Sequence, residues 1–145
     1  VQKLFARHCG EGSRLWNLLT DDQDCNYGIG TNIRLRSTSL QHQRELYASL
    51  GDVYIAVEGG PAVSEEARAA LAAGAQVVPL ARAGGASSGL FGFPAQALER
   101  PPFVSAEQWS ILSCSDTPLT EAAAVVASVV AGYASLRRTR RPKFT

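Results

Sequence analysis

Hydrophobic positions change their spacing along the chain, and each change marks an element. Arg14 to Leu19, RLWNLL, is short, apolar and aromatic and is followed by Asp21, Asp22 and Asp24, which predicts a strand closed by an acidic turn. Tyr27 to Ile33 carries Gly28 and Gly30 and reads as loop with some extended character. Thr38 and Gln41 have the spacing of a capping box, and Leu40, Tyr47 and Leu50 then recur with helical period, so a helix is predicted from about Ser39 to Leu50, stopped by Gly51. Asp52 to Val57 is a β-branched and aromatic run with little polar content, the pattern of a strand covered on both faces. Glu58-Gly59-Gly60-Pro61 breaks it. Val63, Ala67, Ala70 and Leu71 then line one face of a helix that ends at Gly74.

Gln76 to Ala81, QVVPLA, predicts a second buried strand, with Pro79 marking an edge or a bulge. Strand, helix and strand in this order make a βαβ unit of parallel strands, so the expected fold class is α/β, a Rossmann-like parallel sheet flanked by helices. The small-residue loop Arg82 to Gly89, RAGGASSG, follows. Beyond it the segment FGFPAQALERPPF is expected to be irregular, with a short helical piece near Ala95 to Leu98. Ser105 and Gln108 form a second capping box before Trp109 and Leu112. Thr117-Pro118 reads as an N-cap with proline at the first helical position, opening the longest helix, Leu119 to about Leu136, whose alanine and valine face is expected to pack on the sheet.

Composition narrows the class. The 145 residues are 46% hydrophobic, enough for one domain with a core, and carry 14 Lys and Arg against 13 Asp and Glu, a balance that argues against a polyanion binder and against nucleic acid as partner. Cys9, Cys25 and Cys114 are odd in number, scattered and without a CxxC pair, which favours a reducing, intracellular compartment, cytoplasmic or organellar. No histidine stands at metal-ligand spacing from them, and nothing calls for a metal or an organic cofactor. The apolar run Ala122 to Ala134 is shorter than the roughly 20 residues a bilayer crossing needs, so no transmembrane segment is expected. The chain contains no methionine, which implies a processed chain or a piece of a longer one. The expected division is an irregular segment over 1–13, the α/β domain over 14–136 and a basic tail over 137–145. That tail, RRTRRPKF and a final threonine, reads as solvated, or as a contact for an anionic surface or partner.

Ligands of open parallel sheets sit outside the carboxyl ends of the strands. Both glycine loops lie there, so Gly59, Gly60, Pro61, Ala62 and Val63 of the first and Gly84, Gly85, Ser87 and Ser88 of the second are the candidate binding residues, with Glu58 at the mouth. Glycines allow close backbone approach, and a helix starting near Ala62 would aim unpaired amides and a positive dipole end at phosphate or carboxylate. A plain strand-to-helix turn with no ligand fits the same residues. Glu66, in the first helical turn, either reaches the ligand or complements the helix dipole. Arg44 is a candidate phosphate fork or a solvated helix residue, and His42 a base or a surface residue.

Gln41-His42-Gln43-Arg44-Glu45, then Gly51 through Pro61 and Glu66, resemble the paired signature of the LOG-like proteins of the SLOG superfamily: a His-x-Arg-Lys helix, then a strand ending in Pro-Gly-Gly-x-Gly-Thr-x-x-Glu. His42, Arg44, Gly59, Gly60 and Glu66 match. The stretch from Glu58 to Pro94 is similar to a branch related to the cytosolic SLOG domain of TRPM channels, in which a Glu-Gly-Gly-Pro turn replaces Pro-Gly-Gly. The resemblance implies a nucleotide or phosphoribosyl ligand. In catalytic members, which release free base from nucleoside monophosphates, it implies phosphate binding by Arg44 and cleavage of the bond to ribose supported by Glu66. Four departures weaken the cradle: Glu45 replaces the lysine, Ala62 and Val63 replace the turn's glycine and threonine, and Glu58 adds a carboxylate. The expected function is therefore a SLOG-type ligand-binding or scaffold domain, degenerate as an enzyme and an accessory piece of an oligomer or larger assembly. A phosphoribohydrolase and a purely structural module are the alternatives. The family's first strand is not recognisable before Arg14.

Overall fold

Parallel strands joined through a helix organise the larger part of the chain, and the reason is visible residue by residue. The computed structural model describes residues 16–19, 30–36 and 39–140. The chain divides into two compact units with the boundary between Tyr47 and Ala48. Strands β1 (Trp16–Leu19) and β2 (Thr31–Arg34) belong to the first and pair in parallel, Trp16 opposite Thr31 and Leu19 opposite Arg34. An Asn17 to Asn32 side-chain hydrogen bond of 3.0 Å bridges them. β2 lies partly in the segment read as loop: Gly30 has φ 87°, and the next four residues can extend because they have a neighbouring strand to pair with.

Helix α1 (Leu40–Ser49) starts where the spacing places it, with a different cap. Ser39 Oγ accepts from the His42 backbone N–H at 3.2 Å, the geometry of an N-cap one residue later than the predicted Thr38. The expectations for residues 1–13, for the acidic turn at Asp21 to Asp24 and for Thr38 lie outside the described residues.

The second unit runs β3 (Val53–Val57), α2 (Pro61–Ala72) and β4 (Gln76–Leu80), then two 3-10 turns (Ala81–Ala83 and Gly85–Ser88), α3 (Ala95–Leu98), α4 (Ala106–Ser113) and α5 (Leu119–Arg140). β3 and β4 pair in parallel, Val53 opposite Gln76 and Val57 opposite Leu80, so the fold is α/β with small parallel sheets, compatible with a Rossmann-like arrangement. α2 ends in a Schellman motif. Gly74 at φ 83° donates to Leu71 O, and Ala75 donates to Ala70 O, a conformation that glycine adopts without steric cost.

Alternation along the two strands builds two cores. Tyr54, Ala56 and Val77 face α2 and α3, packing with Ala67, Ala70, Ala86, Phe93 and Ala97. Val53, Ile55, Val78 and Leu80 face α4 and α5, packing with Val104, Leu112 and Val129. Both faces of the sheet are covered, yet β3 is less buried than its composition predicts: only Ala56 is buried, and Val53, Tyr54, Ile55 and Val57 are half-buried. Among the described residues β3 pairs only with β4, so its other edge lacks a strand. β4 is the buried strand, and Pro79, opposite Ala56, sits in an unbroken ladder. A strand with one hydrogen-bonded neighbour accommodates the missing N–H.

The Ser105 capping box forms in both directions, each bond 3.0 Å. Pro118, whose carbonyl accepts from Ala122 N–H, takes the cap position of α5, and the Thr117 carbonyl is held instead by Arg82, which also donates to Ser115 O at 2.9 Å. α5 continues to Arg140, through residues read as tail. Among its residues 119–137 only Ala122 and Val129 are buried, with Val125 and Val126 packed beside them, so most of the alanine and valine surface stays off the sheet. Counted as a whole helix rather than an uninterrupted run, Leu119–Arg137 is long and apolar enough by length and composition to cross a membrane, and one such helix does not by itself overturn the expectation drawn from Ala122 to Ala134.

Candidate functional site

The turn after β3 is built from a sequence of unusual backbone conformations. Glu58 has φ 57°, on the left-handed side where a residue with a Cβ is disfavoured by roughly 1–2 kcal/mol, and Gly59 follows at φ 89°. Gly60 returns to the extended region as the N-cap of α2, and Pro61 occupies the first helical turn. A Cβ at Gly59 would overlap the Val63 side chain, so this position requires glycine for space as well as for φ.

The loop after β4 closes directly on this turn. Ala86 N–H donates to Gly59 O at 2.8 Å, and Ser87 N–H donates to Glu58 O at 3.1 Å. Glu58 N–H donates back to Ser87 Oγ at 3.0 Å. The Ser87 hydroxyl has Gly84 O at 2.8 Å and Leu80 O at 3.1 Å within reach of its single proton. Ser87 is fully buried. Gly85, at φ 60°, lies so close that a Cβ there would stand 2.5 Å from Gly59 O. Three bonds and one close approach thus clasp the two loops, and the Ser87 hydroxyl ties the second loop to itself. This clasp also explains how Glu58 holds its conformation, since surrounding bonds fix both of its backbone polar groups.

Within the second unit the structure brings together Glu58, Gly59, Gly60, Gly84, Gly85 and Ser87. Their roles are largely mutual: Ser87 and Gly85 face the turn, while the exposed Ser88 hydroxyl bonds Gly85 O at 2.8 Å. The N–H groups of Gly59, Gly60 and Ala62 have no protein acceptor among the described residues, Gly85 is packed against the Gly59 nitrogen, and the Glu58 side is exposed. Pro61 has no N–H, and Val63 N–H donates to Gly60 O at 3.1 Å, so the helix start offers fewer donors than a generic one.

Glu66 falls at the sixth residue of α2, in its second turn, because the helix begins at Pro61; the first turn contains no acidic residue. The dipole role expected for Glu66 therefore does not apply. Arg44 and His42 lie on α1 in the first unit, Arg44 half-buried and His42 exposed. Glu45 accepts from Gln41 one turn earlier at 3.1 Å.

Two further features were not legible in the sequence. A cleft of about 240 Å³ opens at the amino end of β4, lined among others by Leu71, Gly74, Gln76, Gln96 and Arg100, at the far end of the strand from the clasped loops. Arg100 there donates to Val104 O at 2.6 Å. Cys114 is exposed at the end of α4, its thiol lowered from the usual cysteine value first by a backbone hydrogen bond from Asp116 and then by the Thr117 hydroxyl. Among the described residues no three His, Cys, Asp or Glu side chains gather to hold a metal ion. Compared with protein-family models, with curated proteins and with solved structures, the chain matches none of them.

Proposed function

We propose that the chain is a SLOG-type domain that binds a nucleotide or phosphoribosyl ligand, or scaffolds a larger assembly, without catalysing hydrolysis. The observation that carries the reading is the turn at the carboxyl end of β3, where the N–H groups of Gly59, Gly60 and Ala62 have no protein acceptor among the described residues, at the start of α2 beside a left-handed Glu58. Donors of this kind recognise phosphate or carboxylate. Three features favour binding over turnover. Pro61 and the Val63 bond reduce the donor set, Ser87 is engaged by the protein itself, and Glu66 is one helical turn removed from the phosphate-facing end.

Thermal-shift measurements with nucleoside monophosphates and ADP-ribose test the reading. A ligand at a hundred times its dissociation constant stabilises by about 2.7 kcal/mol, and Gly60→Pro, which removes a donor from the turn, abolishes that shift. Base release that disappears in Glu66→Ala would establish the phosphoribohydrolase instead. The clasp favours one second reading, a purely structural module whose loops serve each other, and absence of any ligand-induced shift supports it.

A further inference from the structure

A second concavity lies within the same unit, at the opposite end of β4 from the clasped loops. This cleft of about 240 Å³ has the buried Val77 and Ala97 at its base and Gln76, Gln96, Glu99 and Arg100 around it. Ligand sites combine an apolar base with a few polar groups in this way, and those for drug-sized molecules measure roughly 300–1,000 Å³. The smaller volume suits a metabolite without a nucleotide's base, sugar and phosphate together.

The polar rim is partly fixed in advance. Arg100 Nη1 donates to the carbonyl of the buried Val104 at 2.6 Å, which holds the guanidinium and leaves its other donors without an acceptor among the described residues. Val104 N–H donates in turn to Pro101 O at 3.0 Å, and Pro101 and Pro102, whose rings lock φ, continue the wall. Glu99 is adjacent in sequence and opposite in charge, yet the two side chains do not pair. Neither the Glu99 carboxylate nor the carboxamides of Gln76 and Gln96 has a protein partner among the described residues. A tethered cation, an anion one residue away and two groups that both donate and accept complement a small molecule carrying both charges.

We propose that this cleft binds a free α-amino acid. Arg100 receives the carboxylate, Glu99 the ammonium group, and the two carboxamides meet the remaining polar atoms, with the ligand's side chain against Val77 and Ala97. A held guanidinium suits a carboxylate because its planar donors match two oxygens. A plain anion such as phosphate would meet the charge of Glu99, and a plain cation that of Arg100, so the site selects a molecule with both. The proposal does not rest on the nucleotide reading, whose turn lies at the other end of the strand.

Backbone-amide NMR spectra of the full chain, titrated with a panel of free α-amino acids, test this. At least one is expected to shift the amides of Val77, Ala97 and Glu99 saturably. Its N-acetyl and carboxamide derivatives, each lacking one charge, bind at least about tenfold more weakly. Glu99→Gln, at an exposed position whose carboxylate has no protein partner among the described residues, keeps the fold and weakens binding by about the same factor. Adenosine monophosphate does not compete, which separates this site from the nucleotide reading. No saturable shift with any amino acid, shifts confined to residues outside the cleft, competition by the nucleotide, or wild-type affinity for either derivative or in Glu99→Gln overturns the proposal.

Discussion

The two faces of the β3–β4 sheet are packed by different means. Toward α2 the buried core is mostly alanine, Ala56, Ala67, Ala70, Ala75, Ala86 and Ala97, with Val77 and Phe93 as its larger members and Tyr54, Val63 and Leu71 packed at its margin. Toward α4 and α5 it is made of branched chains, Val78, Val104, Leu112 and Val129. Alanine lets backbones approach closely, and the clasp between the two loops belongs to that alanine-rich side, where Ala86 itself is both core residue and hydrogen-bond donor. Branched residues make up the other layer, where the long helix is attached by one stripe. A close-packed layer is expected to be intolerant of added volume, and a layer held by a few large side chains of lost volume.

The largest effect should come from Leu112→Ala. Leu112 is fully buried, and its truncation is expected to cost about 2–5 kcal/mol, read as a lower urea midpoint at unchanged slope. A cost below about 1 kcal/mol would mean that the branched-chain layer collapses around the gap and that the contrast is false. Ala70→Leu probes the opposite face with the opposite change. Ala70 has no exposed surface, and overpacking there should cost about 1–3 kcal/mol, whereas Val130→Leu on the exposed side of α5 should be near neutral.

Ser87→Ala separates packing from the clasp, since it removes almost no volume but leaves Glu58 N–H without its acceptor. Its expected cost is about 1–3 kcal/mol. Glu58→Gly in the same background should recover part of it, because a glycine tolerates the left-handed turn without that support. The smallest effect concerns the α4–α5 corner. A lowered thiol pKa means more thiolate at a given pH, so Cys114 should be alkylated by iodoacetamide faster in the folded than in the urea-unfolded chain near neutral pH, the difference vanishing as pH rises above the ordinary cysteine value. Equal rates would show that the Asp116 and Thr117 bonds are not maintained in solution.

Local signals proved readable where one element contains its own instructions. The capping box at Ser105, the glycine stop at Gly74 and the four-residue helix Ala95–Leu98 all follow from spacing over a few residues. β2 was obscured because Gly28 and Gly30 dominate its approach, and pairing with β1 rather than propensity makes it a strand. Ser39 and Thr38 are equally good caps on paper, and only the start of the helix chooses between them. Glu66 moved from the first turn to the second because Pro61, taken from sequence as part of the turn, is already helical.

For the candidate site, the residue types were legible and their partners were not. That Glu58-Gly59-Gly60-Pro61 ends a parallel strand at a helix start could be written from the sequence, because hydrophobic run, glycine pair and proline are consecutive. That Glu58 turns left-handed, and that Ser87 and Gly85 hold it there, required a chain separation of 29 residues to close. The half-buried state of β3 likewise depends on which strand lies at its side, a matter of pairing that its own apolar residues do not encode. By itself the sequence determined the βαβ order from Val53 to Leu80 and the position of the turn, since these rest on interactions within a few residues. The tertiary structure alone decided which donors of that turn remain open and which side of α5 remains exposed, since both depend on what distant segments cover.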